Sequence, residues 1–376
     1  MHSSAAALDP ADGKPICVLV LVPCAETADP SLDYYYDYSQ SRQEFARAFA
    51  ELRVDWRWEP VTSRNHRTVI DAFVRETSAQ TPVVFNLCDG DESNDVPGIS
   101  VIRYLDEQRL IYTGASEAFF GITTSKIHMK RAFGVAGVTT APWDIVGRDT
   151  PESAHLFTKL GSPLIVKPAV SAGSMGITTQ SVVDHDAALR EQVRLLHDGY
   201  RGWDLASGGV FVERYIAGPE FTTFIVGSAN DSGQCTVYPP VERVFHSSLP
   251  AVEQFLSYDR LWEVYERETP IGDGEYLWEY RPAPEELSAR ICDASLAAYA
   301  AVDGCGYGRV DLRMDTASGE LHVLEVNAQC GLSEDENHTS IGAILRFANR
   351  SYSELVRQII TDAVARCSTA RQCGPS

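Results

Sequence analysis

Two segments near the C-terminal end of the chain constrain the fold most, because both alternate apolar and charged residues with period two. They are residues 308–315, GRVDLRMD, and residues 320–327, ELHVLEVN. Such alternation indicates β-strands with one buried face. The Ala-Ser-Gly at 317–319 is typical of a three-residue hairpin loop with glycine in the left-handed conformation. The two segments therefore predict an antiparallel hairpin.

The predicted register places Asp311 opposite Glu325 and Arg309 opposite Asn327, with Arg313 on the same face. The apolar face is expected to hold Val310, Leu312, Met314, Leu324 and Val326. Two facing carboxylates repel each other, and a divalent cation removes that conflict. Carboxylate and amide oxygens suit Mg²⁺, and an arginine on the same face suits phosphate oxygens. Alternating charge is also common on solvated sheet faces, so on the hairpin alone that alternative stays open.

A lysine followed by a loop of small residues marks a second candidate site. Lys167 ends an apolar strand predicted at 164–167, and residues 168–176 are rich in Gly, Ser and Ala. Backbone N–H groups of such a loop can approach phosphate while the lysine supplies charge. The spacing is not that of the P-loop, so a surface turn with a solvated lysine is the alternative.

Residues 213–220, ERYIAGPE, place Glu213 at a strand end and Glu220 a short loop later. Carboxylates at such points can accept hydrogen bonds from an adenine amino group or from ribose hydroxyls. Ordinary surface acids are the alternative interpretation.

Strands that alternate with helices in the first third of the chain predict a parallel α/β domain. The expected strands span 16–22, 83–87, 110–113, 164–167, 209–216 and 221–226. The expected helices span 39–52, 97–105, 125–135, 186–197, 288–302 and 352–365. Residues 237–280 show little periodicity and are interpreted as a long loop, of the kind that often forms a functional lid.

The net charge of −20 argues against a general nucleic-acid binder or a binder of anionic membranes, since both need a cationic face. No stretch approaches the roughly 20 apolar residues that span a bilayer, and the N-terminus lacks the pattern of a signal peptide. Nine scattered cysteines without a Cys-x-x-Cys support neither a disulfide scaffold nor a zinc knuckle. These features together favour a cytoplasmic protein.

An ordered set of motifs resembles the ATP-grasp superfamily and, within it, the D-alanine–D-alanine ligase family. The motifs are YTG at 112–114, SK at 125–126, IVKP at 165–168, ERYIAGPEFT at 213–222, GRVD at 308–311 and LEVN at 324–327, before Gly331. The resemblance implies a fold that combines α/β and α+β parts, in which two lobes clamp ATP behind an N-terminal parallel α/β domain. The implied divisions are a disordered tail at 1–14, the N-terminal domain at 15–118, the small lid lobe at 119–216, the C-terminal lobe at 217–366 and a disordered tail at 367–376.

The resemblance also implies roles for individual residues. For ATP these are Lys126 and Lys167 at the phosphates with Gly173 and Ser174 of the loop, Glu213, Arg214, Tyr215 and Ile216 around adenine, and Glu220 at the ribose. For the metal they are Asp311, Glu325 and Asn327, which would bind two Mg²⁺ ions, with Mn²⁺ as a substitute. For catalysis and substrate they are Lys167, Arg309 and Gly331 at the reacting centre, and Ser340 and Glu26 at the amino-acid substrates.

The implied activity is an ATP-dependent carboxylate–amine ligase that works through an acyl phosphate and joins small amino-acid-like molecules. The resemblance also implies a homodimer. The phosphate loop departs from the family's Gly-Ser-Ser, since Ala172 precedes Gly173 and Ser174. Residues 22–27 lack the family's Gly-Gly-rich turn, and no lysine in 256–268 matches the family's lid lysine. Two further functions stay open: a small-molecule kinase of the same fold and a non-catalytic nucleotide-binding module.

Overall fold

The structure, a computed structural model, describes residues 13–24, 38–93, 95–148, 154–230, 235–261 and 275–372. The strands are β1 (Ile16–Pro23), β2 (Asp55–Val61), β3 (Thr81–Asn86), β4 (Ile111–Tyr112), β5 (Trp143–Val146), β6 (Leu164–Pro168), β7 (Val182–Val183), β8 (Val210–Arg214), β9 (Glu220–Val226), β10 (Thr236–Val237), β11 (Val241–Phe245), β12 (Trp278–Pro282), β13 (Tyr307–Met314) and β14 (Leu321–Ala328). The helices are α1 (Ser39–Leu52), α2 (His66–Glu76), α3 (Ile99–Glu107), α4 (Glu117–Thr123), α5 (Lys126–Ala136), α6 (Ala154–Leu160), α7 (Asp186–Asp198), α8 (Tyr258–Leu261), α9 (Glu285–Ala301), α10 (Ser340–Phe347) and α11 (Tyr352–Gln372).

The N-terminal part contains a four-stranded parallel sheet in the order β2-β1-β3-β4. Every residue of β1 is buried, because helices cover both faces of a parallel sheet. The prediction of a parallel α/β domain is confirmed. The polar loop after β3 leaves the carboxyl end of the sheet, which is where ligands bind in open α/β folds.

The rest of the chain forms two antiparallel sheets. One has the order β12-β11-β9-β13-β14, with β10 added beside β9, and the other has the order β5-β8-β6-β7. Helix α5 begins at Lys126 because the Ser125 hydroxyl accepts from the N–H of His128, and it ends at Gly137, which has φ +70°. This helix lies between the two antiparallel sheets and directs its lysines toward both.

The predicted hairpin forms in the predicted register, with Asp311 opposite Glu325 and Arg309 opposite Asn327. Two details were wrong. A β-bulge after Asp311 pairs Leu312 with Val323, so Val323 enters the core while Leu324 turns toward the cavity. The loop has four residues, 316–319, because Asp315 N–H bonds to the Glu320 carbonyl, and Gly319 has φ +70° as expected.

Two other predictions were wrong. The segment 237–280, interpreted as one long loop, contributes β11 and β12, which pair with each other, and β11 also pairs with β9. Helix α11 continues to Gln372, into the segment expected to be a disordered tail from residue 367.

Within the described ranges, no helix is long and apolar enough to cross a membrane. The domain boundaries stay predictions.

Candidate functional site

A cavity of about 650 Å³ lies where the two antiparallel sheets meet the N-terminal domain. It is lined by Lys126, Lys167, Gly173, Ser174, Glu213, Arg214, Tyr215, Ile216, Glu220, Arg309, Asp311, Glu325, Asn327, Gly331 and Ser340. These are all the residues singled out for the site except Glu26, which lies outside the described residues. Their placement in one cavity is observed, and their individual roles stay predictions.

Glu213 is buried between two lysines on neighbouring elements. Its carboxylate oxygens lie 2.7 Å from Lys167 Nζ and 2.5 Å from Lys130 Nζ. Burial would raise the pKa of Glu213, but the charges of the two lysines outweigh it and lower the pKa to about 2. Lys167 is therefore held at the cavity wall by an ion pair, which rules out the solvated surface turn. Both Glu213 oxygens are ion-paired, so this carboxylate is already engaged by two cations.

Replacing Glu213 by Gln should lower the free energy of unfolding by about 3 kcal/mol at pH 7, because two poorly solvated lysines lose their counterion. The folded-state pKa of about 2 lies below the ordinary value of 4.5, so the stabilisation is complete above about pH 5 and is lost as the pH falls toward 2. Urea denaturation of the unmodified protein and of the Glu213→Gln variant, at pH 7 and at pH 3, measures the difference between their unfolding free energies. We expect this difference to be smaller at pH 3.

The exposed Glu320 is the matched control for this experiment, since its side chain is 57% exposed. We expect Glu320→Gln to change the unfolding free energy by less than about 0.5 kcal/mol at either pH. A Glu213→Gln variant as stable as that control at pH 7 would contradict the importance of the buried pair.

The hairpin brings an arginine, two carboxylates and an amide together on one face. Asp311 Oδ2 accepts from Arg309 Nη2 at 2.9 Å and from Asn327 Nδ2 at 3.0 Å, while Asp311 Oδ1 accepts from the Thr222 hydroxyl at 2.8 Å. Asp311 is 7% exposed, so the charged face of the hairpin is not solvated. This observation decides against the alternative of an ordinary surface sheet.

Glu325 faces the lid lobe across the cavity. Its Oε2 lies 3.4 Å from Lys126 Nζ, and its Oε1 accepts from Asn327 Nδ2 at 3.3 Å. Burial would raise the pKa of Glu325, but Lys126, Arg309 and Lys167 lower it to about 2. Glu325 is therefore a carboxylate at neutral pH, ready to receive a cation from the cavity side.

The residues fit a hard divalent cation, although the donor set is small. Asp311 and Glu325 are cross-strand neighbours, and a half-turn of the Asn327 amide would present its oxygen to the same space. Within the described part of the chain, no group of three or more His, Cys, Asp or Glu side chains is placed to hold a metal. Phosphate oxygens and water would have to complete the coordination, which is usual for Mg²⁺.

Two arginines that sequence reasoning did not assign to the site enclose Glu220. Arg313 donates to Glu220 Oε2 through Nε at 3.1 Å and Nη2 at 3.0 Å, and Arg243 donates to Oε1. Burial would raise the pKa of Glu220, but the two arginines lower it. Arg243 lies on β11, opposite Glu220 in the register, within the segment that was interpreted as a loop. No sequence signal could locate it without that strand pairing.

The small-residue loop 170–176 is anchored at both ends of the cavity. Lys126 Nζ donates to the Ser171 carbonyl at 3.0 Å, and the Ser174 hydroxyl donates to the Leu256 carbonyl at 2.9 Å. Gly173 and Ser174 both have positive φ, at +54° and +59°. The second bond ties this loop to the segment before α8.

Gln329 is a further residue that sequence reasoning missed. It is 2% exposed with φ +50°, and its Nε2 donates to the Cys88 carbonyl at 2.7 Å. Its Oε1 accepts from Ala115 N–H at 3.3 Å and from Asn86 Nδ2 at 3.4 Å. One buried amide thus joins the loop after β14 to two loops of the N-terminal domain.

Comparisons with known proteins point to one family. Residues 133–361 match the family model described as D-ala D-ala ligase C-terminus. The chain is 30% identical over 278 residues to a D-alanine–D-alanine ligase of Synechococcus sp. (strain JA-2-3B'a(2-13)), a match that covers 74% of each chain.

Solved structures share the fold over nearly the whole chain. The D-alanine–D-alanine ligase of Bacillus anthracis superimposes with a TM-score of 0.65 at 20% identity, covering 95% of this chain and 99% of that one. The VanG D-Ala:D-Ser ligase of Enterococcus faecalis superimposes with a TM-score of 0.64 at 15% identity, covering 93% and 100%. At these identities the superpositions establish the fold.

Proposed function

The chain belongs to the D-alanine–D-alanine ligase family of the ATP-grasp superfamily, and on this basis we propose how its cavity carries out the reaction. The protein is an ATP-dependent ligase that forms an amide bond between amino acids. The observation that supports the site assignment most is the single cavity between Lys126 and Lys167 of the lid lobe and the charged face of the hairpin. Cations on one wall and carboxylates on the other suit a nucleoside triphosphate whose charge is shared with a metal.

We assign the ATP phosphates to Lys126, Lys167 and the loop 170–176. Each lysine has a carboxylate partner: Glu325 lies 3.4 Å from Lys126 Nζ, and Glu213 lies 2.7 Å from Lys167 Nζ. Their charges are therefore already placed in the cavity. Adenine would contact the backbone of 214–216, since the Glu213 side chain is engaged by lysines. Ribose would reach Glu220 only at the cost of sharing that carboxylate with Arg243 and Arg313.

The reaction we propose begins when the substrate carboxylate attacks the γ-phosphoryl group of ATP and gives an acyl phosphate and ADP. An amine then adds to the acyl carbon, and phosphate leaves from the tetrahedral intermediate. Arg309 and the backbone N–H groups near Gly331 would hold the developing oxyanion. Magnesium, held by Asp311, Glu325 and Asn327, would neutralise phosphate charge when bound.

The substrates we infer are small amino acids, as the names of the relatives indicate for those proteins. Ser340, the buried first residue of α10, is the candidate for binding a substrate carboxylate at the helix N-terminus. The role of Glu26 stays a prediction. The homodimer is an inference from the resemblance, magnesium rests on the resemblance and on the facing carboxylates, and the cytoplasmic location is inferred from the composition of the chain.

A screen for ADP release tests the proposal. Pairs of D-, L- and β-amino acids and short peptides would be incubated with ATP and Mg²⁺, and products would be identified by mass spectrometry. We expect sustained ADP release only when a carboxylic acid and an amine are both present, with an amide as the product. ADP release that leaves a phosphorylated product without any amine would instead favour the kinase. Binding of ATP without turnover for any pair would favour the non-catalytic module.

A further inference from the structure

The loop between β14 and α10 carries an aspartate that shapes it. Asp335 Oδ1 accepts the backbone N–H groups of Asn337 at 3.0 Å and His338 at 3.1 Å. The backbone N–H of Asp335 itself donates to the Ser333 hydroxyl at 3.1 Å. The position of His338 is therefore set by hydrogen bonds within the loop.

The imidazole of His338 is oriented by the same carboxylate. Its Nδ1 lies 3.2 Å from Asp335 Oδ2 and 3.3 Å from Oδ1. An ionised carboxylate only accepts hydrogen bonds, so the proton of the neutral ring resides on Nδ1 and the lone pair on Nε2. Among the residues that the structure describes, no hydrogen bond to Nε2 is found, and the ring's remaining aromatic neighbour is Tyr276, 6.5 Å away between ring centroids.

The helix that follows does not need this histidine. Thr339 is the N-cap of α10, and its hydroxyl accepts from Gly342 N–H at 3.1 Å. His338 instead lines the cavity, as do Ser340, Arg309 and Gly331. A histidine that lines a reaction cavity and has a carboxylate partner on one ring nitrogen only has the arrangement of a general base.

We propose that His338, oriented by Asp335, is the general base that removes a proton from the substrate ammonium so that the amine can attack the acyl phosphate. This inference rests on the ligase function proposed above. The ammonium loses one proton to Nε2, the nitrogen lone pair forms the C–N bond, and the C–O bond to phosphate breaks with its electron pair on oxygen. The tetrahedral nitrogen passes its second proton to the departing phosphate, which leaves as hydrogen phosphate.

The surroundings of His338 suit a base that must be reset after each turnover. Its side chain is 62% exposed, so the imidazolium can return its proton to solvent. Burial would raise the pKa of Asp335, but hydrogen bonds from the backbone of His338 and Asn337 and the charge of His338 lower it. Asp335 therefore stays ionised at neutral pH. Asp335 contacts the ring directly, and Tyr276 lies 6.5 Å from it between ring centroids.

Hydroxylamine allows formation of the acyl phosphate to be measured separately from the attack of the amino-acid amine on it. It traps the acyl phosphate as a hydroxamate and is largely unprotonated at neutral pH, so it needs no base, whereas an amino acid is an ammonium ion. With the amino-acid pair that gives the fastest ADP release, D-alanine being tested first, His338→Gln should lower amide formation about a hundredfold at pH 7. Hydroxamate formation should stay within about twofold of the unmodified protein, and the amide deficit should shrink as the pH rises.

Two further variants complete the test. Asp335→Asn should show the same split between amide and hydroxamate with a smaller loss, about tenfold, because it leaves the base in place but weakens its orientation. His185→Gln is the matched control, since His185 also pairs with an aspartate, Asp184 at 2.7 Å, and is 66% exposed away from the cavity. That variant should change neither product.

The outcomes distinguish this inference from the function on which it rests. Equal losses of amide and hydroxamate in His338→Gln, or no loss of either, would overturn the assignment of the base while leaving the ligase intact. If the unmodified protein formed neither hydroxamate nor ADP with any acid, the proposed ligase function and the base would fall together.

Discussion

Glu325→Gln should lower the rate of ADP release by at least about a thousandfold, which corresponds to about 4 kcal/mol of transition-state stabilisation. The carboxamide keeps the size of the side chain but removes one of the two facing negative charges, so a divalent cation is no longer held against Asp311. It also leaves Lys126 without the partner that lies 3.4 Å from its Nζ. ADP release measured over a Mg²⁺ titration, at saturating ATP and amino acids, gives the result.

The control is Glu320→Gln, on the same hairpin but 57% exposed, which should release ADP at the normal rate. Thermal unfolding of both variants would be followed in parallel, so that loss of the fold is separated from loss of chemistry. If Glu325→Gln turned over ATP normally with an unchanged Mg²⁺ dependence, the assignment of the metal to this hairpin would be wrong.

Arg309→Lys should lower kcat by roughly a hundredfold to a thousandfold, with little change in the KM for ATP. Arginine presents two N–H groups to Asp311 Oδ2, at 3.1 Å from Nε and 2.9 Å from Nη2, in a planar fork that lysine cannot reproduce. The charge is kept, so ATP binding should survive, but a lysine cannot hold Asp311 through two N–H groups and also offer further N–H groups to the oxyanion. Steady-state kinetics with ATP varied separates kcat from KM.

Arg281→Lys, at an arginine of β12 that is 62% exposed, is the corresponding control and should be kinetically silent. A raised KM with unchanged kcat in Arg309→Lys would mean that Arg309 contributes binding equally in the ground state and the transition state. That result would remove it from the reacting centre.

The hairpin was predictable because its information is local. Period-two alternation fixes which side chains share a face. The loop has one residue more than predicted and the bulge adds one residue to β14, so the two differences cancel and Asp311 was paired correctly with Glu325. Leu324 was assigned to the wrong face because a one-residue bulge inverts the alternation. No residue near this bulge predicts it from the sequence.

The ion pairs around Glu220 were not predictable, because they depend on neighbours that are distant in sequence. Arg243 reaches Glu220 only through the pairing of β11 with β9, and β11 has five residues with mixed charge, too few for a clear period. Glu213 was placed at the correct strand end, yet its partner Lys130 comes from α5, so the closed ion pair was visible only in three dimensions.

The buried Gln329 amide has a consequence for engineering this enzyme by recombination. Because it bonds to the carbonyl of Cys88 and the N–H of Ala115, the segment that carries Gly331 is built partly on the N-terminal domain. A chimera that took its first 118 residues from a relative would have to reproduce both contacts. Otherwise Gln329 would have to be exchanged together with those residues. Crossover points that keep Gln329 together with both of its partners should yield active hybrids. Crossover points that separate them should yield folded chains in which the loop after β14, which carries Gly331, is displaced.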